Sequence, residues 1–89
     1  PGVVSLALLD PPRSGLGAKS ARDLVRLAPR SVVYVACDPS TLARDLRVIV
    51  DGGYRLDAIE AIDLFPQTFH VETIATLSRA DAVVPVSAG

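Results

Sequence analysis

The 89-residue chain carries a net charge of −1 and is 49% hydrophobic, mostly aliphatic, which excludes disorder and a broadly basic nucleic-acid-binding surface. No apolar run approaches the roughly 20 residues that span a bilayer, and no signal peptide is visible. The single cysteine excludes an internal disulfide and fits a reducing, cytoplasmic setting.

The chain starts at Pro1, holds no methionine and enters an apolar strand almost at once, so the sequence predicts a piece of a longer protein whose missing part lies N-terminal. Val3 to Leu9 is aliphatic except for Ser5 and reads as a strand buried on both faces, as in a parallel sheet. Asp10-Pro11-Pro12 ends it, because neither proline can donate to a ladder. Arg13 to Gly17 is a loop with two glycines. From Ala18, the apolar positions Ala21, Leu24, Val25 and Ala28 follow a helical period that Pro29 closes. Ser31 to Ala36 is a second strand of the buried type.

The next helix opens with Asp38 as N-cap and Pro39 at the first helical position, carries a stripe of Leu42, Leu46, Ile49 and Val50, and stops at Gly52-Gly53. Tyr54 to Leu64 alternates and then slips near Ile59, which predicts a strand with a bulge. Phe65 to His70 is a loop, Glu72 to Arg79 a last strand, and the tail from Ala80 pairs little.

Strands alternating with helices imply right-handed crossovers in an α/β sheet of order βαβαββ. The last two strands are joined by too few residues for a crossover helix, so the last strand should run antiparallel. That architecture is the C-terminal half of a Rossmann-like methyltransferase sheet, an analogy of fold alone. Ligands in such sheets bind beyond the carboxyl ends of the strands. Asp10, Cys37 and Glu72 then converge on one rim, although they span more than sixty residues of sequence.

Each residue also has a plainer reading. Asp10 can finish a strand by bonding turn amides. A lone cysteine after a buried strand is often an inert small hydrophobe, although a helix N-terminus favours a thiolate, which Asp38 opposes slightly. Glu72 beside His70 can be a solvated loop pair. His70, without a second ligand, makes no metal site. Arg13, Arg44 and Arg79 read as surface charges.

Three stretches carry a resemblance. Asp10-Pro11-Pro12-Arg13-Ser14-Gly15, Tyr34 to Leu46 and Asp63 to Glu72 are similar, in order and spacing, to three motifs of the S-adenosylmethionine-dependent RNA (uracil-5-)-methyltransferases, which form 5-methyluridine in tRNA and rRNA. The resemblance implies that Cys37 is the nucleophile, that Glu72 is the base and that Asp10 helps hold the cofactor. It also implies the chemistry. Carbon 5 of uracil is a poor nucleophile until a thiolate adds at carbon 6, and a base must afterwards remove the carbon 5 proton. The uridine has to leave its stack to react. One departure is Asp38, where many members carry Asn; either residue can cap the helix.

Set against the resemblance, residues 1–89 are expected to be the C-terminal part of a catalytic domain. The glycine-rich cofactor turn and an RNA-binding domain are absent from these residues, so the piece alone should be inactive and bind S-adenosylmethionine weakly. The Val3 to Leu9 strand would then be a bare edge prone to self-association. Two rival readings follow from the same residues. An RNA cytosine-5 methyltransferase would usually show a further cysteine where Arg13 stands, and a non-catalytic folding or interaction module would leave Cys37 inert.

Overall fold

In the computed structural model, residues 5–62 and 72–80 are described. The elements run β1 (Leu6–Leu9), α1 (Ala18–Leu27), β2 (Ser31–Ala36), α2 (Pro39–Asp51), β3 (Tyr54–Ile62) and β4 (Glu72–Arg79). The expected βαβαββ order is therefore present. The tail beyond Ala80, Val3, Val4 and the Phe65 to His70 loop lie outside the described residues.

The strands form one mixed sheet of order β1-β2-β4-β3. β1 and β2 are parallel, with Leu6 beside Ser31 and Leu9 beside Tyr34. β4 is antiparallel to both of its neighbours, β2 and β3. The last strand thus returns into the sheet between its two predecessors. Both crossovers step in the same direction across the sheet, and right-handed crossovers put α1 and α2 on the same face.

That face holds the core. Val32, Tyr34 and Ala36 of β2 and Ala75 and Leu77 of β4 are buried beneath Ala21 and Leu24 of α1 and Leu42, Leu46 and Ile49 of α2. Ile49 is fully buried, a contribution of about 1.5–3 kcal/mol by side-chain transfer. The helical stripe read from the sequence is correct except at Val50, which is 40% exposed. Asp45 completes the buried face of α2 on the other side of the stripe.

The two helices meet closely where α2 ends. A Cβ added at Gly52 would stand 2.6 Å from a methyl carbon of Val25, so α1 packs against bare backbone there. Ala28 closes α1 in the left-handed region at φ 57°, its amide returning to the carbonyls of Leu24 and Val25. The connection to β2 is pinned by Arg79, whose Nη1 donates to the Ala28 carbonyl at 3.1 Å, and by the Tyr54 hydroxyl, which donates to the Pro29 carbonyl. Arg79 is therefore a structural cap and not the free surface charge expected from the sequence.

Two further expectations change in detail. The β3 register shifts between Leu56 and Ala58, which puts the bulge at Asp57, two residues before Ile59. β1 is not buried on both faces, since Leu6 is 57% and Leu8 69% exposed. The reason is position: among the described residues β1 pairs only with β2, and no helix covers the sheet face opposite α1 and α2.

An apolar strand with an open row of amides and carbonyls invites edge pairing. The 89-residue chain is accordingly expected to self-associate at high concentration, and Leu8→Lys to shift it toward monomer. Sedimentation velocity on both proteins measures this, and a clean monomer for the unaltered chain refutes it.

Candidate functional site

All three sequence-predicted site residues belong to segments that reach the same end of the sheet. β1 and β2 are parallel and end together, so Asp10 follows Leu9 and Cys37 follows Ala36 on one rim. β4 runs the other way and begins there with Glu72. Ala36 is registered with Thr73 as the last pair of that ladder, so Cys37 and Glu72 are the next residues of their chains at this end of the sheet. Glu72 is itself registered with Ile62 of β3. Cys37 and Asp10 are exposed, and Glu72 is partly buried. Among the described residues, thiol and carboxylate thus share one rim.

Cys37 owes its place to the helix that follows. Asp38 is extended at φ −127°, and its Oδ1 accepts from the Ser40 amide at 2.9 Å and the Ser40 hydroxyl at 2.7 Å. Pro39 occupies the first turn, where no amide partner is needed. The two donations from Ser40 hold the Asp38 carboxyl below its ordinary value of 3.8. Because the folded value is the lower one, the ionised cap is fully engaged above pH 3.8 and is given up as pH falls through the depressed value.

The loop after β1 is tied to α2 residue by residue. Thr41 Oγ1 donates to the Arg13 carbonyl at 3.0 Å, and Arg44 Nη2 donates to the Ser14 carbonyl at 2.7 Å. The Leu16 amide donates to Asp45 Oδ2 at 2.7 Å and the Gly17 amide to Oδ1 at 3.3 Å. Gly15, at φ 79°, lies so close that an added Cβ would stand 2.6 Å from Asp45 Oδ2. Asp45 is itself wholly buried, and its remaining partners are the Tyr34 hydroxyl at 2.5 Å and the Arg44 guanidinium at 3.3 Å. Burial and the bond to Asp45 together raise the Tyr34 phenol well above its ordinary value, so Tyr34 stays a donor. A buried carboxylate is tolerated when every neighbour donates to it, and this one is so surrounded.

Sequence reasoning missed Asp45 and Tyr34 and took Arg44 for a surface charge. The available signal was a charged residue within the apolar face of α2, three positions after Leu42 and directly before Leu46. The third motif, apart from Glu72, and His70 lie outside the described residues.

Two further features bear on what the rim can do. Among the described residues no three metal-ligating side chains gather, and no helix is long and apolar enough to cross a membrane. A concavity of about 360 Å³ lined by Val25, Ala28, Gly52, Gly53, Tyr54, Arg79 and Ala80 lies at the opposite end of the sheet, where α1 and α2 finish, away from Cys37.

Comparison with known proteins places the chain among relatives. Residues 3–80 match a family model described as tRNA (Uracil-5-)-methyltransferase. The chain is 53% identical over 74 residues to an uncharacterised RNA methyltransferase of Thermotoga maritima, covering 83% of this chain and 17% of that protein. It is 53% identical over 77 residues to another from Streptomyces avermitilis, covering 86% of this chain and 18% of that protein. The crystal structure of the Pyrococcus abyssi tRNA (uracil-54, C5)-methyltransferase in complex with S-adenosyl-L-homocysteine superposes with a TM-score of 0.71 at 42% identity, over 85% of this chain and 20% of that one. The chain therefore spans under a fifth of the length of the relatives it matches in sequence.

Proposed function

Because the chain belongs to the tRNA (uracil-5-)-methyltransferase family, we propose that it supplies the nucleophile-and-base rim of an enzyme that methylates carbon 5 of a uridine in tRNA or rRNA. In this reading residues 1–89 are the C-terminal part of the catalytic domain. The observation that supports the reading is the register of β2 against β4, whose last pair, Ala36 with Thr73, leaves Cys37 and Glu72 as the next residues at the same end of the sheet.

The Cys37 thiolate adds to carbon 6 of the uracil, forming a carbon–sulfur bond and an enolate that makes carbon 5 nucleophilic. S-adenosylmethionine, when bound, supplies an electrophilic methyl group on a cationic sulfonium. The donor's chemistry suits one residue here: Asp10 is an exposed acceptor at the end of β1, the strand beside the one that carries Cys37. Glu72 then removes the proton from the methylated carbon 5, the electrons return to the ring, the carbon–sulfur bond breaks and Cys37 is regenerated. The reacting uridine turns out of its stack to reach the thiol.

The glycines of this chain support a division of labour. Gly15 and Gly17 serve the loop clamped by α2, and Gly52 and Gly53 close α2 at the opposite end of the sheet, which leaves no glycine turn on the Cys37 rim in the described residues for the methionyl part of the donor. The 89 residues alone are thus expected to bind S-adenosylmethionine weaker than micromolar in a calorimetric titration; micromolar binding would overturn that division.

The decisive experiment for the function uses the whole protein that carries this segment. Incubation with S-adenosylmethionine and RNA containing 5-fluorouridine, which has no carbon 5 proton to lose, should trap a covalent RNA–protein complex that survives denaturing electrophoresis. Release of methylated RNA without any such complex would contradict the mechanism.

A further inference from the structure

We infer that Asp45 is a positioning residue: its buried carboxylate, supported by Tyr34, holds the Arg13–Gly17 loop on the helix that starts behind Cys37, and so fixes Asp10 relative to the thiol. The inference deepens the proposed function and rests on it.

The mechanism above has no use for Asp45, yet position 45 falls on the buried stripe of α2 between Leu42 and Leu46. An apolar side chain there would be buried without the desolvation cost of a carboxylate. What the carboxylate adds is four donors, from two other parts of the chain and from its own neighbour. It accepts from the Leu16 and Gly17 amides of the loop after β1, from the Tyr34 hydroxyl of β2, and from Arg44 beside it. Arg44 and Thr41 hold the carbonyls of Ser14 and Arg13 at the same time. Gly15 completes the fit, since any Cβ there would collide with Asp45 and Arg44.

Every residue from Arg13 to Gly17 is therefore bonded to, or pressed against, one turn of α2. That turn is rigidly continuous with the Asp38 cap and hence with Cys37. Asp10 lies three residues before the clamped loop, joined to it by Pro11 and Pro12, whose fixed φ limits slack. The two chemical partners come from different strands, and the clamp sets their spacing. Loss of about 1 Å of alignment between reacting groups costs on the order of 100-fold in rate.

A merely structural role is separable from this one, because two reactions at the rim need different residues. Thiol addition followed by solvent protonation and reversal exchanges the carbon 5 hydrogen without any methyl donor, and depends on Cys37 and Glu72. Methyl transfer also depends on the Asp10 side. The test uses the whole protein with RNA tritiated at uridine carbon 5, and the variants Tyr34→Phe, Asp45→Asn and Gly15→Ala. Donor-free tritium release is expected to stay within about twofold, while methyl transfer falls on the order of 100-fold, with a raised KM for S-adenosylmethionine. Gly52→Ala, which strains the distant contact with Val25, serves as a control that lowers Tm and leaves both rates per folded molecule unchanged.

Equal loss of exchange and methyl transfer in the three variants, or loss of neither, overturns the inference. If Asp45→Asn fails to fold, Gly15→Ala decides, because its Cβ pushes the loop off the Asp45 carboxylate and removes no hydrogen-bonding side chain. An unaltered protein that neither exchanges nor methylates overturns the functional reading and this inference with it; one that does both, with Gly15→Ala unaffected, overturns only the inference.

Discussion

Cys37→Ala in the whole protein is expected to abolish the covalent complex with 5-fluorouridine RNA and to lower methyl transfer by roughly four orders of magnitude or more, as loss of a covalent nucleophile does elsewhere. The reasoning is chemical. Without sulfur at carbon 6, carbon 5 has no enolate to react from, and no neighbouring side chain among the described rim residues can substitute. Stability should hardly change, because Cys37 is exposed and makes no core contact. Electrophoresis under denaturing conditions and a filter assay for transferred methyl groups measure the two effects. A complex that persists in this variant would remove Cys37 from the mechanism.

Glu72→Gln is expected to fail differently, and the difference is informative. Addition and methylation can proceed, but the carbon 5 proton then has no base, so the enzyme stalls while joined to its product. Ordinary uridine RNA should therefore accumulate as a covalent complex with the variant, which the unaltered protein does not hold at steady state. Turnover should drop by roughly 10²–10⁴-fold, the usual contribution of a positioned base. Normal turnover with no accumulated complex would show that another group takes the proton. Together the two variants divide the reaction at its midpoint.

Much of this arrangement could be read from local chemistry. The Asp38-Pro39 start of α2, the Gly52-Gly53 stop and the Pro29 break each have a strong short-range cause, and each appears as expected. The antiparallel return of β4 followed from chain length alone. Its insertion between β2 and β3 did not, because strand order is a tertiary choice that periodicity does not encode.

The same limit explains β1. Leu6 and Leu8 carry the signature of a doubly buried strand, and among the described residues no layer covers the sheet face they occupy, a fact their own residues do not encode. Asp45 stood out only as a charge within an apolar stripe, and its role was illegible for a third reason. Its partners are the Leu16 and Gly17 amides, 29 and 28 residues away, and backbone donors leave no mark in a side-chain pattern. Tyr34 looked like one more strand aromatic until its hydroxyl found that carboxylate. In each case, what sequence reasoning missed was a long-range polar contact or a missing partner, and both are properties of the assembled sheet.

The wedge-like entry of β4 has a consequence for how the molecule is made. A ribosome delivers β3 before β4, yet among the described residues β3 has no hydrogen-bonding neighbour except β4. The nascent chain therefore carries an unpaired strand until β4 emerges, a vulnerable interval of the kind that non-local pairing imposes. The strand that ends this interval is also the one that begins with Glu72. A chain interrupted between β3 and β4 would carry Cys37 without Glu72 and an unfinished sheet, so the pairing of β3 and the arrival of Glu72 at the rim are the same event.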